Sequence, residues 1–239
     1  MKKFITLLFV SVITVTSYSQ VRKIKGNGVV QEKNRKVLKY SKLVVDGDVD
    51  VEILNNPFKN TIRTSGDANL HQLVQVSVEN ETLTLKRKPG FEIVSQTQPL
   101  KVTLTTKDLT EITKNGDKGS ITNMGTIEIP QLKLTNTGDG KMELKVKTDE
   151  LYLTTQNTAS IVVEGNSNTV KINSTSSGDI NAKELSAFFT EVSSSGSGNI
   201  YTNTVNGIDG SLNGSGNLYY RITKTVNVTE NGEGKVIKE

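Results

Sequence analysis

The chain has no cysteine, a single histidine and only 5% aromatic residues. Beyond its first nineteen residues no apolar run approaches the eighteen or so that would cross a bilayer as a helix, so no membrane span is expected in the mature chain. Without cysteine there is no thiol nucleophile, no disulfide framework and no lipid-anchoring cysteine behind a signal segment, so stability has to come from packing. A Ser-His-Asp centre would have to use His71. No glycine-elbow serine motif accompanies it, so His71 reads as a solvated surface histidine in a turn or short helix. Excess charge is scarce too. The formal net charge is +4, and falls to about +2 when Lys2 and Lys3 leave with the segment that carries them, which gives no reason to expect nucleic acid.

That segment, residues 1–19, has Lys2 and Lys3, the mostly apolar stretch Phe4 to Val15, then Thr16, Ser17, Tyr18 and Ser19. These are the zones of a secretory signal peptide with a cut between Ser19 and Gln20. The reading is export through the Sec pathway to the periplasm or the cell surface.

After the signal the chain is rich in Thr, Ser and Asn interleaved with Leu, Ile and Val, which favours thin β layers over one bulky core. Gly26-Asn27-Gly28-Val29-Val30 reads as one degenerate turn-and-strand unit. Period-two runs then mark strands at Leu43-Val45, Val49-Val51-Ile53, Val74-Val76-Val78, Leu83-Leu85 and Leu100-Val102-Leu104, with Asn80-Glu81 as a hairpin turn. From Ile121 a pattern recurs about every nineteen residues. An apolar residue stands at Ile121, Met142, Ile161, Ile180, Ile200, Leu218 and Val236, spaced 21, 19, 19, 20, 18 and 18. A second apolar position lies eight residues earlier, at Thr113, Leu134, Leu153, Ile172, Val192, Gly210 and Val228. A third, at Val146, Leu185, Val205 and Ile222, is expected to form a short third side.

A fixed period of this length is the signature of a solenoid. The fold class is therefore all-β, a parallel β-helix or β-solenoid of about 19-residue coils, with chain chirality favouring the right-handed form. Residues 20–110 are expected to make a less regular β part and residues 111–239 the regular coils, within one continuous domain.

Two residues before each first landmark lie Gly119, Gly140, Ala159, Gly178, Gly198, Gly216 and Gly234. They read as corners, with glycine supplying positive φ and Asn157 doing so where Ala159 replaces it. At Gly210 a gap or bulge is expected, filled by Ile208 or Leu212. Asp179, Asn199, Asn217, Ser120 and Ser160, just after the corner, are placed to bond backbone and stack coil on coil.

The stretches Gly26 to Val29, Asp48 to Ile53, Gly66 to Leu70, Asn80 to Leu85, Leu100 to Leu104 and Ser195-Gly196-Ser197-Gly198-Asn199-Ile200 resemble the head GIN-domain family of auto-transporter-like adhesins. The resemblance covers nearly all of the mature chain. It implies a β-solenoid and an exported location.

Chemistry-bearing groups are few. Asp139, Glu143, Asp179 and Glu191 are the carboxylates that a polysaccharide hydrolase or lyase would need in pairs, but they are spread over different coils with lysines between them. Gly138-Asp139-Gly140 lacks the nine-residue period of calcium-loaded repeats, so no metal or cofactor is expected. Tyr201 and Tyr219 hold the same place in successive coils and should stack on the outside, where they could hold a sugar ring or a partner side chain. The functional reading is a non-enzymatic exported solenoid that presents a repetitive face to an envelope protein or glycan. The alternatives are a polysaccharide-acting enzyme and a purely structural envelope protein.

Overall fold

A computed structural model describes residues 21–55, 60–106 and 108–239; the signal segment read at residues 1–19 lies outside them. The strands of the first half are β1 (Arg22–Lys25), β2 (Val30–Lys36), β3 (Lys42–Asp46), β4 (Asp50–Asn55), β5 (Thr61–Asp67), β6 (Val74–Glu79), β7 (Thr82–Arg87), β8 (Phe91–Ser95) and β9 (Lys101–Thr106), with a 3₁₀ turn at Ala68–Leu73. The second half continues with β10 (Glu111–Asn115), β11 (Ser120–Met124), β12 (Ile127–Glu128), β13 (Gln131–Asn136), β14 (Lys141–Thr155), β15 (Ser160–Ser174), β16 (Ile180–Ser194), β17 (Ile200–Leu212), β18 (Leu218–Tyr220), β19 (Thr225–Glu230) and β20 (Val236–Lys238).

Parallel pairing joins these strands into a β-solenoid. One inward ladder runs Val102, Val51, Ile121, Met142, Ile161, Ile180, Ile200, Leu218, Val236, each residue in register with the next. The other runs Leu83, Leu43, Ile112, Leu134, Leu153, Ile172, Val192, Gly210, Val228. Alternation puts every second side chain inside, and β14 shows it on both arms of a bend at Asp149–Glu150, where the phase shifts by one residue; Met142, Leu144 and Val146 before it and Leu151 and Leu153 after it are at most 3% exposed. In the first regular coil the inward residue is Ile112, not Thr113. The sequence spacing placed that coil one residue late, because its corner is one residue longer.

The layers are not stacked in chain order. Strands β3 and β4 lie between β7 and β9 on one side and β10 and β11 on the other. The outer edge of the β7/β9 layer is closed by antiparallel strands: β6 on β7, β5 on β9, and β2 on β5. An antiparallel cover of this kind protects an edge that would otherwise template further pairing. The segment Gly26–Val30 therefore leads into this cover and is not a solenoid unit. Asn80 and Glu81, at φ 48° and 57°, form the tight β6–β7 turn read from the sequence.

His71 is buried, at 6% exposure, with its Nε2 3.2 Å from the Gly66 carbonyl oxygen, and is not a surface residue. Leu70 and Leu73, both fully buried, draw the short turn into the cap and carry His71 with them.

The corner glycines align down one edge, but for a different reason from the one the sequence suggested. Of Gly119, Gly140, Gly178, Gly198, Gly216 and Gly234, only Gly119 takes a positive φ, at 80°. At the others the constraint is the neighbouring coil. A Cβ on Gly198 would overlap the Gly178 carbonyl, one on Gly216 the Gly198 carbonyl, and one on Gly234 the Gly216 carbonyl. Asn157 does take a positive φ, 59°, in the coil where the buried Ala159 stands for glycine. Gly210 stays in register between Val192 and Val228, so no bulge forms there; Ile208 and Leu212 on either side are fully buried.

Polar side chains secure the stack at the same edge. The Asp179 carboxylate accepts the Asn199 backbone N–H at 2.7 Å, the Asn199 side-chain oxygen accepts that of Asn217 at 3.0 Å, and Asn217 accepts that of Lys235 at 2.8 Å. Asp50 does the same for Ser120 at 2.9 Å. Inside the corner Lys114 is fully buried, and its ammonium donates to the carbonyls of Gly47, Asn115 and Lys118 at 2.9, 3.2 and 2.6 Å. Burial holds its pKa below the ordinary lysine value, against the opposing pull of Asp48 and other nearby aspartates.

Candidate ligand-binding faces

Outward residues fall into straight columns because each coil repeats the register of the last. Tyr201 and Tyr219 occupy one column, on the side of the coil formed by the first residues of β17 and by β18, with ring centroids 4.9 Å apart and planes 13° from parallel. Lys183, from the preceding coil, brings its ammonium to 4.3 Å from the Tyr201 centroid. The same ammonium donates to Glu239 at 2.7 Å, and Asn217 donates to the Tyr219 hydroxyl at 3.3 Å. Tyr201 thus packs against a second ring and a nearby cation.

A second surface lies on the other strand side of the same coils. Here Lys133, Tyr152, Lys171, Glu191 and Asp209 form one outward column, and Thr135, Thr154, Asn173, Ser193 and Ser211 the next. Between the two columns runs a groove of about 590 Å³. Tyr152 is flanked by the ammonium groups of Lys133 and Lys171 at 5.8 and 5.4 Å. Its hydroxyl donates to Glu150 at 2.8 Å, and together with Gln131 it holds the Glu150 carboxyl below the usual carboxylate range.

The four carboxylates singled out in the sequence do not converge. Asp139 and Asp179 sit at the glycine corner, where Asp139 accepts from the Thr158 hydroxyl; Glu143 is on the Tyr201 side. Glu191 alone gains an acidic neighbour, Asp209, one coil along. The signal for that pair lies in the sequence, since Glu191 and Asp209 are one period apart. Among the described residues no group of three His, Cys, Asp or Glu side chains could hold a metal ion.

A third surface, at the bend opposite the glycine corner, combines exposed apolar residues with a polar wall that includes Glu128, Lys147, Asp149, Asn166 and Asn168. Phe188 and Val205 are 56% and 47% exposed and line a groove of about 550 Å³ with Ile129 and Pro130; Ile222, beyond the groove, is 71% exposed. Val146 and Leu185 face inward as expected, whereas Val205 and Ile222 do not. Pairing between β16 and β17 slips after Ala182 and again after Ala187. Thr202 and Thr204 take the inward places and bond one another at 2.9 Å, with Thr204 also 2.6 Å from Thr190, which turns Val205 outward.

Parallel coils with three distinct outer surfaces define a β-solenoid scaffold whose chemistry lies on its faces. The chain belongs to the family described as "Putative auto-transporter adhesin, head GIN domain", whose model matches residues 39–236. Its fold is similar to that of a "putative adhesin" from Bacteroides fragilis, at 21% identity and TM-score 0.83, covering 90% of this chain and 100% of that one. A "putative adhesin" from Parabacteroides distasonis is similar at 23% identity and TM-score 0.68, covering 91% and 100%. A "putative lipid binding protein" from the same species is similar at 19% identity and TM-score 0.68, covering 90% and 100%. No curated protein matches. At these identities the likeness to solved structures concerns the fold alone.

Proposed function

We propose that the chain is an exported, non-enzymatic adhesin that leaves the cytoplasm through the Sec pathway and presents the outer faces of its coils to an envelope protein or glycan. The observation that carries this reading is the register. Nearly equal coils repeat one register along the stack, so outward side chains line up in columns at about one strand spacing and weak contacts made along a column add. Family membership supports the adhesin class, and the signal-like residues 1–19 support export.

The test uses the full chain expressed in a bacterium with an outer membrane. The product should be found outside the cytoplasm and should begin at Gln20 by mass spectrometry. The purified product should retain a component from envelope fractions, and periodate or protease treatment of the fractions tells glycan from protein. Retention of nothing above a control protein would sink the adhesin reading, and a cytoplasmic, full-length product would sink the export part. Release of new reducing ends from a retained glycan would replace it with the hydrolase reading.

A second reading is favoured by one observation, the exposed Phe188 and Val205 at one end of a groove that also carries Lys147 and Asn166, an arrangement that suits an amphipathic lipid with an acyl chain and a polar head. The relative named as lipid binding gives this some support. Retention that survives both treatments but is lost on organic extraction would select it.

A further inference from the structure

We infer that the groove between the Tyr152–Asp209 column and the Thr154–Ser211 column is a binding site for a neutral oligosaccharide lying along the stack; this rests on the adhesin reading and assigns its site and ligand class. Three observations bear on it. The first is available bonding capacity. Asn173, Glu191 and Ser193 are exposed at the groove, and their side chains make no hydrogen bond or ion pair with another described residue. Amide, carboxylate and hydroxyl together offer both donors and acceptors to a polyhydroxylated ligand.

The second is charge. Glu191 and Asp209 stand on adjacent parallel strands, about 4.8 Å apart at the backbone. Two carboxylates at that spacing accept hydrogen bonds from sugar hydroxyls but repel a uronate, a sulfate or a phosphodiester. Lys171, in register with Glu191 on the adjacent strand, offsets one of these charges, so the groove lining of Lys171, Glu191 and Asp209 keeps a net charge of −1. An anionic glycan and a nucleic acid are both disfavoured, and an uncharged hydroxyl-rich chain is not.

The third is the character of the walls. A protein partner would be expected to use apolar or aromatic anchors in a desolvated pocket. Among the described residues Tyr152 is the one aromatic ring lining this groove, and it is flanked by two lysines. The columns instead give a hydrogen-bonding group at every coil, a spacing of the order of one sugar ring. An extended glycan can therefore repeat the same contact from coil to coil.

The experiment measures binding of the purified chain to linear neutral oligosaccharides and to uronate-containing ones of the same length. The neutral series should bind. Ser193→Arg and Asn173→Arg, both on exposed positions, should each weaken it at least about tenfold while leaving the melting temperature unchanged. Glu191→Lys combined with Asp209→Lys should shift preference toward the uronates, an effect that a purely structural role would not produce. Tyr201→Ala with Tyr219→Ala, on another side of the coil, should leave neutral binding intact. Equal binding by wild type and both arginine variants, or binding of uronates alone by wild type, would overturn the site. If envelope protein is retained and no glycan binds, the groove is wrong and the adhesin reading stands; if nothing is retained, both fall.

Discussion

Tyr40 is fully buried, and among the described residues neither its hydroxyl nor that of Thr106 has a hydrogen-bond partner. Burial pushes its pKa up to about 12, with Thr106 close enough to oppose the shift slightly. An unfolded tyrosine titrates near pH 10. Below pH 10 the phenol is neutral in both states and no stability is lost. Between pH 10 and 12 only the unfolded chain ionises, so about 2–3 kcal/mol should disappear. Tyr40→Phe should remove that alkaline loss and, because it deletes an orphan hydroxyl, should leave stability at pH 7 unchanged or higher. Urea midpoints from pH 7 to 11.5 for both proteins check this, and the lowered Lys114 pKa, which acts in the opposite sense, cancels in the difference. Parallel curves for the two proteins would refute the assignment. Nothing in the spacing of the sequence marks Tyr40 or Lys114 as buried. Both lie next to strands whose partners are distant in the chain, and the alternation pattern counts them as polar.

At the scale of the element, the glycine corner separates two explanations that look alike in a sequence. Gly90 has φ 77° and open space around its would-be Cβ, whereas Gly198 lacks a positive φ and lies against the Gly178 carbonyl. Gly90→Ala should cost roughly 1–2 kcal/mol, the penalty for a left-handed residue. Gly198→Ala has to separate two coils and should cost at least about 3 kcal/mol by urea denaturation. Equal costs would mean that the corner glycines serve backbone conformation after all. The positions of these residues were legible because they recur with the period; their role was not, because a sequence shows that glycine is preferred without showing what comes close to it. The same limit applies to Val205 and Ile222. Their spacing fits an inward column, but the three-threonine cluster at Thr190, Thr202 and Thr204 changes the register before Val205, and Ile222 falls between β18 and β19, outside both strands.

At the scale of the whole molecule, the periodic half was readable from Ile121 onward, since an apolar residue every nineteen or so positions leaves one way to bury them all. Ile180 lies fully buried at mid-stack, and an aspartate there would put a charge against both neighbouring coils. Ile180→Asp should abolish the cooperative thermal transition followed by circular dichroism; a melting temperature within a few degrees of wild type would contradict the continuous-core picture. The N-terminal half was readable only as strands. Alternation says that a run is half-buried but not which strand lies beside it, so the insertion of β3 and β4 between layers formed later in the chain left no periodic trace.

That insertion governs how the molecule answers to tension. The β19/β20 layer borders a single neighbour and can open one bond at a time, like a zipper. A pull that reaches β3 and β4 must instead shear two ladders together, so the out-of-order layer acts as a mechanical clamp near one end of the rod.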